Sequence, residues 1–441
     1  MRIIEEESSL RLFGRSVSRG LGLLIIAALC GVVVAACGGS SSSTSSASSG
    51  SSSSASGATS KLTGKPIALG AIVTETGPVA TGGGYEYAAN VAKAWTAWAN
   101  ATTGVNGHPV TMTVLDDAAT PATEESDARE LVQQDHVAAV FIEDQSASVV
   151  APYLASQKIP LFSSFGDGGH TPQNTSWFGV DIQPPYVPLN FAMVDKAAAA
   201  TKFSNAVCSE VAICLSYGKS LAAFAPKISM QSGVTAAIAE TATDATAQCL
   251  AFTGSHSDAI NMFIGTNPIN LIAKACDQQG YKGIFTTATV VDTALKTVPT
   301  PLVLSVDAFP WWASNPAAAQ YRQVMAKYGP GDDYESPNAS NMWQLLQVFS
   351  YGMKAKGPAA GSAVTGQDVI SAMQNGVKAV TLDGILPQPV TFSASGQTPI
   401  RCFWPAQWKN SQFGELQGSW TSGNGESGAL KSDCVPTNAV S

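Results

Sequence analysis

Apolar residues in this chain follow two alternating patterns. Short continuous runs are followed by polar loops, and then by segments in which apolar positions recur every three or four residues. The first run, "PIALGAIV" from Pro66 to Val73, predicts a strand, and "TETGPVATGGG" from Thr74 to Gly84 predicts a loop from its Thr, Gly and Pro content. Ala88, Val91, Ala92, Trp95, Ala99 and Thr102 then keep helical spacing up to Gly104. "HPVTMTVLDD" predicts a second strand with a polar loop at Asp116 and Asp117, and a helix follows from about Pro121 to Gln134. "VAAVFI" from Val137 to Ile142 is unbroken, as in a strand buried on both faces of a parallel sheet. "EDQSAS", "VVAPYLASQ" and "IPLFSSFG" continue the order of loop, helix and strand with its loop. Further on come a helix at roughly Pro188 to Thr201, a strand at Phe203 to Cys208, and a helix from about Tyr217 to Gln231. "GVTAAIAE", "AINMFIG", "PINLIAKACDQQG" and "KGIFTTA" repeat the unit. This rhythm predicts α/β lobes with parallel sheets, whose ligand sites lie beyond the carboxyl ends of the strands.

The N-terminal segment breaks the rhythm. Arg11, Arg15 and Arg19 precede "LGLLIIAALCGVVVAA" from Leu21 to Ala36, the order of an export signal, and the apolar stretch is short of the roughly 20 residues that cross a bilayer. The expected signal peptide is 1–36. Val-Ala-Ala-Cys at its end resembles the lipobox of bacterial lipoproteins, which implies that Cys37 is acylated and becomes the first mature residue. An ordinary signal with an incidental cysteine is the alternative. From Gly38 to Ser60 the chain is almost wholly Ser, Gly, Ala and Thr, too poor in large apolar residues to fold. Residues 37–60 therefore form an expected tether, with a reach of roughly 25–30 Å. Acyl chains on Cys37 would tie it to the lipid bilayer.

Charge and cysteines narrow the picture further. With 32 Asp and Glu against 24 Lys and Arg and no basic run, nucleic acid is not an expected partner. Past the anchor, Cys208, Cys214, Cys249, Cys276, Cys402 and Cys434 form an even set that suggests disulfides outside the cytoplasm. Order alone does not select their pairing, although nearest neighbours are the simplest choice, and some could remain free buried thiols. Zinc is not expected, since no Cys-x-x-Cys occurs and His108, His136, His170 and His256 are scattered.

"GAIVTETGPVATGGG" with its helix, "NGHPVTMTVLDDAATPA" and "VFIEDQSASVVAPYLASQKIPLFSSFG" together resemble the Leu/Ile/Val-type periplasmic binding proteins, the type I solute-binding components of ABC importers. "PINLIAKACDQQGYKGIF", "NASNMWQLLQVFSYGMKA" and "LDGILPQPVTFSASGQTPIRCFWPAQWKNSQFG" extend the likeness in order over nearly all of residues 65–415. The resemblance implies two doubly wound lobes joined by a hinge that the chain crosses three times. Lobe 1 would take 65–183 and 309–379, and lobe 2 would take 184–308 and 380–440. It also implies a monomer without a cofactor that closes on a small solute, such as a branched-chain amino acid or an amide. The protein would deliver that solute to an ABC permease from the outer face of a bacterial cytoplasmic membrane. A sensor that binds a solute and signals to a membrane receptor would have the same sequence features. On this framework Cys208–Cys214 would staple a strand-to-helix loop, Cys249–Cys276 two helices, and Cys402–Cys434 the tail.

In the family, hydroxyls and backbone N–H groups of two lobe-1 loops hold an amino acid's carboxylate. The matching positions are Gln145, Ser146, Ala147 and Ser148, with Ser163, Ser164 and Phe165. A helix expected from near Val149 would aim unpaired N–H groups at that point, with Ser148 as ligand contact, N-cap or both. In lobe 2 the family's acid would lie just after "GIF", where Thr286, Thr287, Ala288 and Thr289 stand instead. Asp292 is the nearest acid, as a cleft residue or a helix cap. Tyr85 is the nearest substitute for an aromatic in the first loop. Trp311 and Trp312, in "FPWWAS", could line the cleft wall or fill a hinge core, and Trp343 is assigned to the core. No Gly-x-Ser-x-Gly, His-Glu-x-x-His or Gly-x-x-x-x-Gly-Lys motif occurs, and Asp116 and Asp117 would point to opposite faces of a strand, so catalysis is not expected.

Overall fold

The structure, a computed structural model, describes residues 62–440 apart from 78–84, 145, 165–170, 172, 184–185, 211, 288–301, 330, 332–333, 411 and 417–430. The expected signal, Cys37 and the tether lie outside the described residues. The first sheet contains β1 (Ile67–Val73), β2 (Val110–Asp116), β3 (Ala139–Glu143), β4 (Leu161–Ser163) and β5 (Trp177–Phe178). All are parallel, in the order β2-β1-β3-β4-β5. The second sheet repeats that order with β6 (Lys202–Cys208), β7 (Gln231–Ile238), β8 (Ala259–Phe263), β9 (Ile284–Thr287) and β10 (Leu302–Val306), arranged β7-β6-β8-β9-β10. Each sheet thus reverses its strand order at the strand that begins it, and a crevice opens there at the carboxyl ends. A two-residue-strand hairpin, β11 (Phe392–Ser393) and β12 (Gly396–Gln397), stands apart. Beyond β10 the second sheet is extended by antiparallel β13 (Cys402–Lys409), which pairs with β14 (Gln412–Glu415) and β15 (Asp433–Cys434).

Helices α1 (Glu86–Ala101), α2 (Pro121–Gln133) and α3 (Ala151–Ser156) connect the strands of the first sheet. After β5 the chain enters the second sheet's layer through α4 (Leu189–Ala197), α5 (Ala212–Phe224), α6 (Thr246–Gly254) and α7 (Thr266–Gln278). After β10 it returns through α8 (Pro316–Tyr328), α9 (Pro337–Lys356) and α10 (Gly366–Gly376), with α8 and α9 packed on α1. It crosses again to reach β13, which makes three crossings.

Side-chain alternation along β1 and β3 explains the helix layers. Ala71, Val73 and Phe141 point to the α1–α9 core, whereas Ile72, Val140 and Ile142 point to the core under α2 and α3. Gly70 lets α2 approach closely: a Cβ there would lie 2.7 Å from the methyls of Leu131. Most of α9 is buried, and its Trp343 packs 5.6 Å from Trp98 and 5.2 Å from Tyr321, in the core as expected. The starts of α8 and α9 follow from Asn315 and Ser336, whose side chains accept from the N–H of Ala318 and Ala339, each with proline at the first helical position.

Two helices depart from the sequence expectation. The one expected over Tyr217–Gln231 runs Ala212–Phe224, because Pro226 cannot continue it and Ser229 takes φ 60°. Gln231 opens β7 instead. The helix expected from Val149 begins at Ala151 and is only six residues long. Ser148 is therefore not its N-cap; that position is Val150, which has no side-chain cap.

A polar ladder crosses the middle of the second sheet. Thr235, Asn205, Asn261 and Thr286 stand opposite one another on β7, β6, β8 and β9. Asn205 Nδ2 donates to Thr235 Oγ1 at 3.1 Å, Asn261 Nδ2 to Asn205 Oδ1 at 3.3 Å, and Thr286 Oγ1 to Asp195 Oδ1 of α4 at 2.5 Å. Burial pushes the Asp195 carboxyl up to about 7, against the hydrogen bonds from Thr286 and Asn261. Its folded value lies above its unfolded one, so its stabilising contribution is full in acid and is lost as pH rises through about 7.

The three disulfides join the nearest neighbours, Cys208–Cys214, Cys249–Cys276 and Cys402–Cys434. The second links α6 to α7 and closes a loop with sequence separation 27, worth about 3.5 kcal/mol in the chain-entropy account. Replacing Cys249 and Cys276 together by Ala is expected to lower the unfolding free energy by up to about that amount, measured by denaturant titration. Between about pH 5 and pH 8, Asp195 costs on the order of 3 kcal/mol of stability. The melting temperature is therefore expected to fall over that range, and Asp195→Asn to flatten the fall, as read by calorimetry.

Candidate functional site

Val73, the last residue of β1, is level with Asp116 of β2 and Glu143 of β3, so the three strands end together at the crevice. Acidic side chains gather there. Asp117, Glu124, Glu143, Asp144, Asp181 and Asp307 are all buried, and among the described residues no Lys or Arg is buried to neutralise them. An unpaired buried charge is costly, so such groups take up protons or recruit hydrogen-bond donors.

Asp116 and Asp117 take separate partners, as consecutive strand residues should. Asp116 accepts from the N–H groups of Glu75, Thr76 and Ala118 and from the Thr76 hydroxyl. Burial alone would raise its carboxyl, but these bonds outweigh it and hold the value below the usual range. Asp117 accepts from Thr74 Oγ1 at 2.8 Å and from Ala119 N–H, yet burial keeps it raised.

The next pair, Glu143 and Asp144, also diverges. Asp144 lies towards α2, where burial and then the Glu124 carboxyl raise it well above the ordinary range. It draws in the Ser146 N–H at 2.6 Å and the Ala147 N–H. Burial lifts Glu124 itself to about 7, with the Ser146 hydroxyl working the other way and Asp117 adding to the rise. Glu143 lies towards α9 and accepts from the Ser164 hydroxyl and, at 3.5 Å, from Asn341 Nδ2. Gln344, one turn along α9, donates to Asn341 Oδ1 at 2.8 Å, and its own Oε1 has no partner. Burial raises Glu143 well above its ordinary value, and Asp144 and Asp307 raise it further.

Asp181 and Asp307 belong to the crossings. Each follows the last parallel strand of its sheet in a Val-Asp-x-x-Pro segment, Val180 to Pro184 and Val306 to Pro310. The two carboxyls hydrogen-bond to each other, so they share a proton and link the first crossing to the second. Burial raises Asp181 well above its usual range and Asp307 to about 7. The third crossing joins through Gln183 N–H, which donates to the Ile400 carbonyl at 2.9 Å, while Ile400 N–H donates to Gln183 Oε1 at 3.3 Å.

Of the residues singled out from sequence, Ser146, Ala147 and Ser148 follow β3, and Ser163 and Ser164 end the neighbouring β4, so the fold brings these five together. Ser163 Oγ accepts from Trp177 Nε1 at 3.3 Å, and Ser164 donates to Glu143. Tyr85 is fully buried at the start of α1. Trp311 is buried in an aromatic cluster, edge-on to Trp312 at 4.8 Å and to Phe413 at 5.0 Å. Arg322 Nη1 donates to the Trp311 backbone carbonyl and to that of Ala313. Gln145, Phe165 and Asp292 lie outside the described residues. In the second sheet Thr286 and Thr287 are buried in β9, the latter donating to the Met262 carbonyl at 3.3 Å. Glu240, beyond β7, accepts from Gly265 N–H through both oxygens, at 2.8 and 3.0 Å, and so occupies the N-terminus of α7.

Sequence reasoning missed Glu143, Asp181, Asp307, Asn341 and Gln344. An acid that ends a wholly apolar run, and the repeated Val-Asp-x-x-Pro, were the available signals.

No described helix is long and apolar enough to cross a membrane. No curated protein is significantly similar to the chain in sequence. Among solved structures it is similar to a leucine-binding protein from Thermotoga maritima, at TM-score 0.62 and 15% identity, over 80% of this chain and 98% of that one. An extracellular ligand-binding receptor from Rhodopseudomonas palustris HaA2 superposes at TM-score 0.63 and 15% identity, over 80% and 100%. A solute-binding protein of an ABC transporter from R. palustris, solved with 4-hydroxybenzoate, does so at 0.61 and 17%, over 81% and 99%. The family model for periplasmic binding proteins matches residues 66–413. With its two doubly wound sheets and three crossings, the chain therefore belongs to the type I periplasmic binding proteins, a family that binds small solutes outside the cytoplasm and works with ABC permeases.

Proposed function

We propose that this chain is the lipid-anchored solute receptor of an ABC importer, held by acylated Cys37 on the outer face of a bacterial cytoplasmic membrane. Its two lobes, 65–183 with 309–379 and 184–308 with 380–440, close as a monomer on one small polar solute, of the class that includes branched-chain amino acids and amides. The observation that supports this most is the convergence of the carboxyl ends of both sheets on crossings stitched by Asp181, Asp307, Gln183 and Ile400. Side-chain and backbone bonds between the crossings leave the lobes few ways to move except about that line. The cleft so formed is polar at its base. The serine-rich stretch after Cys37 gives the receptor freedom to reorient towards a permease.

A solute that binds only the folded state raises the melting temperature with the logarithm of its concentration over Kd. The full chain, screened in mild detergent against amino acids, amides, urea, polyamines and aromatic acids, is expected to show such a rise with at least one of them. A panel without any shift would refute solute binding. Cys37→Ser is expected to release the protein from membranes into the soluble fraction, followed by fractionation and immunoblot, with that thermal shift unchanged.

A further inference from the structure

In both lobes several of the groups suited to hold a solute's carboxylate are already occupied by the chain's own carboxylates. The N–H groups of Ser146 and Ala147 turn to Asp144, and the Ser164 hydroxyl donates to Glu143. Across the crevice, Glu240 takes the free N–H of Gly265 at the start of α7. The short α3, six residues long, offers no helix dipole of consequence in compensation.

What remains without partners has the opposite chemistry. Gln344 Oε1 is a fully buried carbonyl oxygen with no donor, on the amide whose nitrogen is bonded into the Asn341–Glu143 group. The neighbouring acids are paired with one another, Asp307 with Asp181 and Asp144 with Glu124. An amide oxygen cannot satisfy itself by taking up a proton at ordinary pH, so Gln344 stands as evidence independent of the acids around it. The carboxylate of an arriving solute would find the donors of Ser146, Ala147 and Ser164 taken, with acids beside them. A group that brings N–H donors would find acceptors waiting.

We infer that the solute presents an amide or ammonium N–H group to the Glu143–Asn341–Gln344 group of lobe 1, and that no solute carboxylate is bound at Ser146 or Ser164. This rests on the solute-binding reading above and selects within it. It favours amides and amines over solutes held by their acid group.

Solutes matched in carbon skeleton isolate the head group. Isobutyramide, isobutylamine and isobutyrate, with leucinamide against leucine, would be titrated into the full chain by thermal shift, and the responsive ones by calorimetry. Isobutyramide or isobutylamine is expected to bind at least tenfold more tightly than isobutyrate, and leucinamide at least as tightly as leucine. Isobutyrate or leucine binding more tightly than its matched amide overturns the inference and leaves solute binding standing. If none of the five raises the melting temperature, the inference fails for these skeletons. Solute binding itself then fails only if the wider panel is silent as well. The Glu143→Gln variant keeps the shape and the Ser164 contact while removing the carboxyl that a bound ammonium would ionise. It is expected to weaken isobutylamine at least tenfold and to leave isobutyramide within about threefold. Equal binding of isobutylamine by both proteins would remove Glu143 from that group.

Discussion

Buried carboxyl groups without a buried cation are the constraint to which the rest of this structure is fitted. Each must keep its proton or find donors, and the carboxyl ends of the first sheet are where donors are richest. Asp116 is held ionised by three backbone N–H groups and a hydroxyl, whereas Glu143, with two side-chain donors and acids beside it, is pushed the other way. Adjacent positions in one fold thus sit at opposite protonation tendencies because of the number of N–H groups that reach them. The same N–H groups cannot serve a solute as well, so solvation of the chain's own acids and recognition of a foreign anion compete directly.

That competition sets this chain apart from what its family resemblance alone implied. The five loop residues suggested by resemblance do assemble at the ends of β3 and β4. Among them Ser146 and Ala147 donate to Asp144 and Ser164 donates to Glu143, while Ser163 accepts from Trp177. Position is inherited with the fold, while the use of a position depends on its immediate neighbours.

Much of the architecture was legible because strands and helices have different periods. β1, β2, β3 and α1 fall within a few residues of the runs that predict them, and the nearest-neighbour cysteine pairing is the one present. The helix read through to Gln231 was too long because its apolar content hides the break that Pro226 imposes, and the exposed edge strand β7 has little alternation to announce it. The acid cluster was illegible for a different reason. Asp181 and Asp307 are far apart in sequence and meet only because both follow the last parallel strand of a sheet, and Glu143 meets Asn341 only because α9 returns to the first sheet after the chain has crossed to the second. Single-residue chemistry gives no hint of such meetings; connectivity does.

The ladder of Thr235, Asn205, Asn261 and Thr286 has a consequence for assembly. Burial already favours one register, because a one-residue slip turns every side chain of a strand to the other face. Here each of four neighbouring strands contributes one polar side chain, and all four fall in line only when every strand is in register. A slip of a single position would turn an amide into the opposite layer and leave its neighbours facing hydrocarbon. The ladder therefore works as a second check written across the sheet, penalising by unmet hydrogen bonds the same misalignments that burial disfavours.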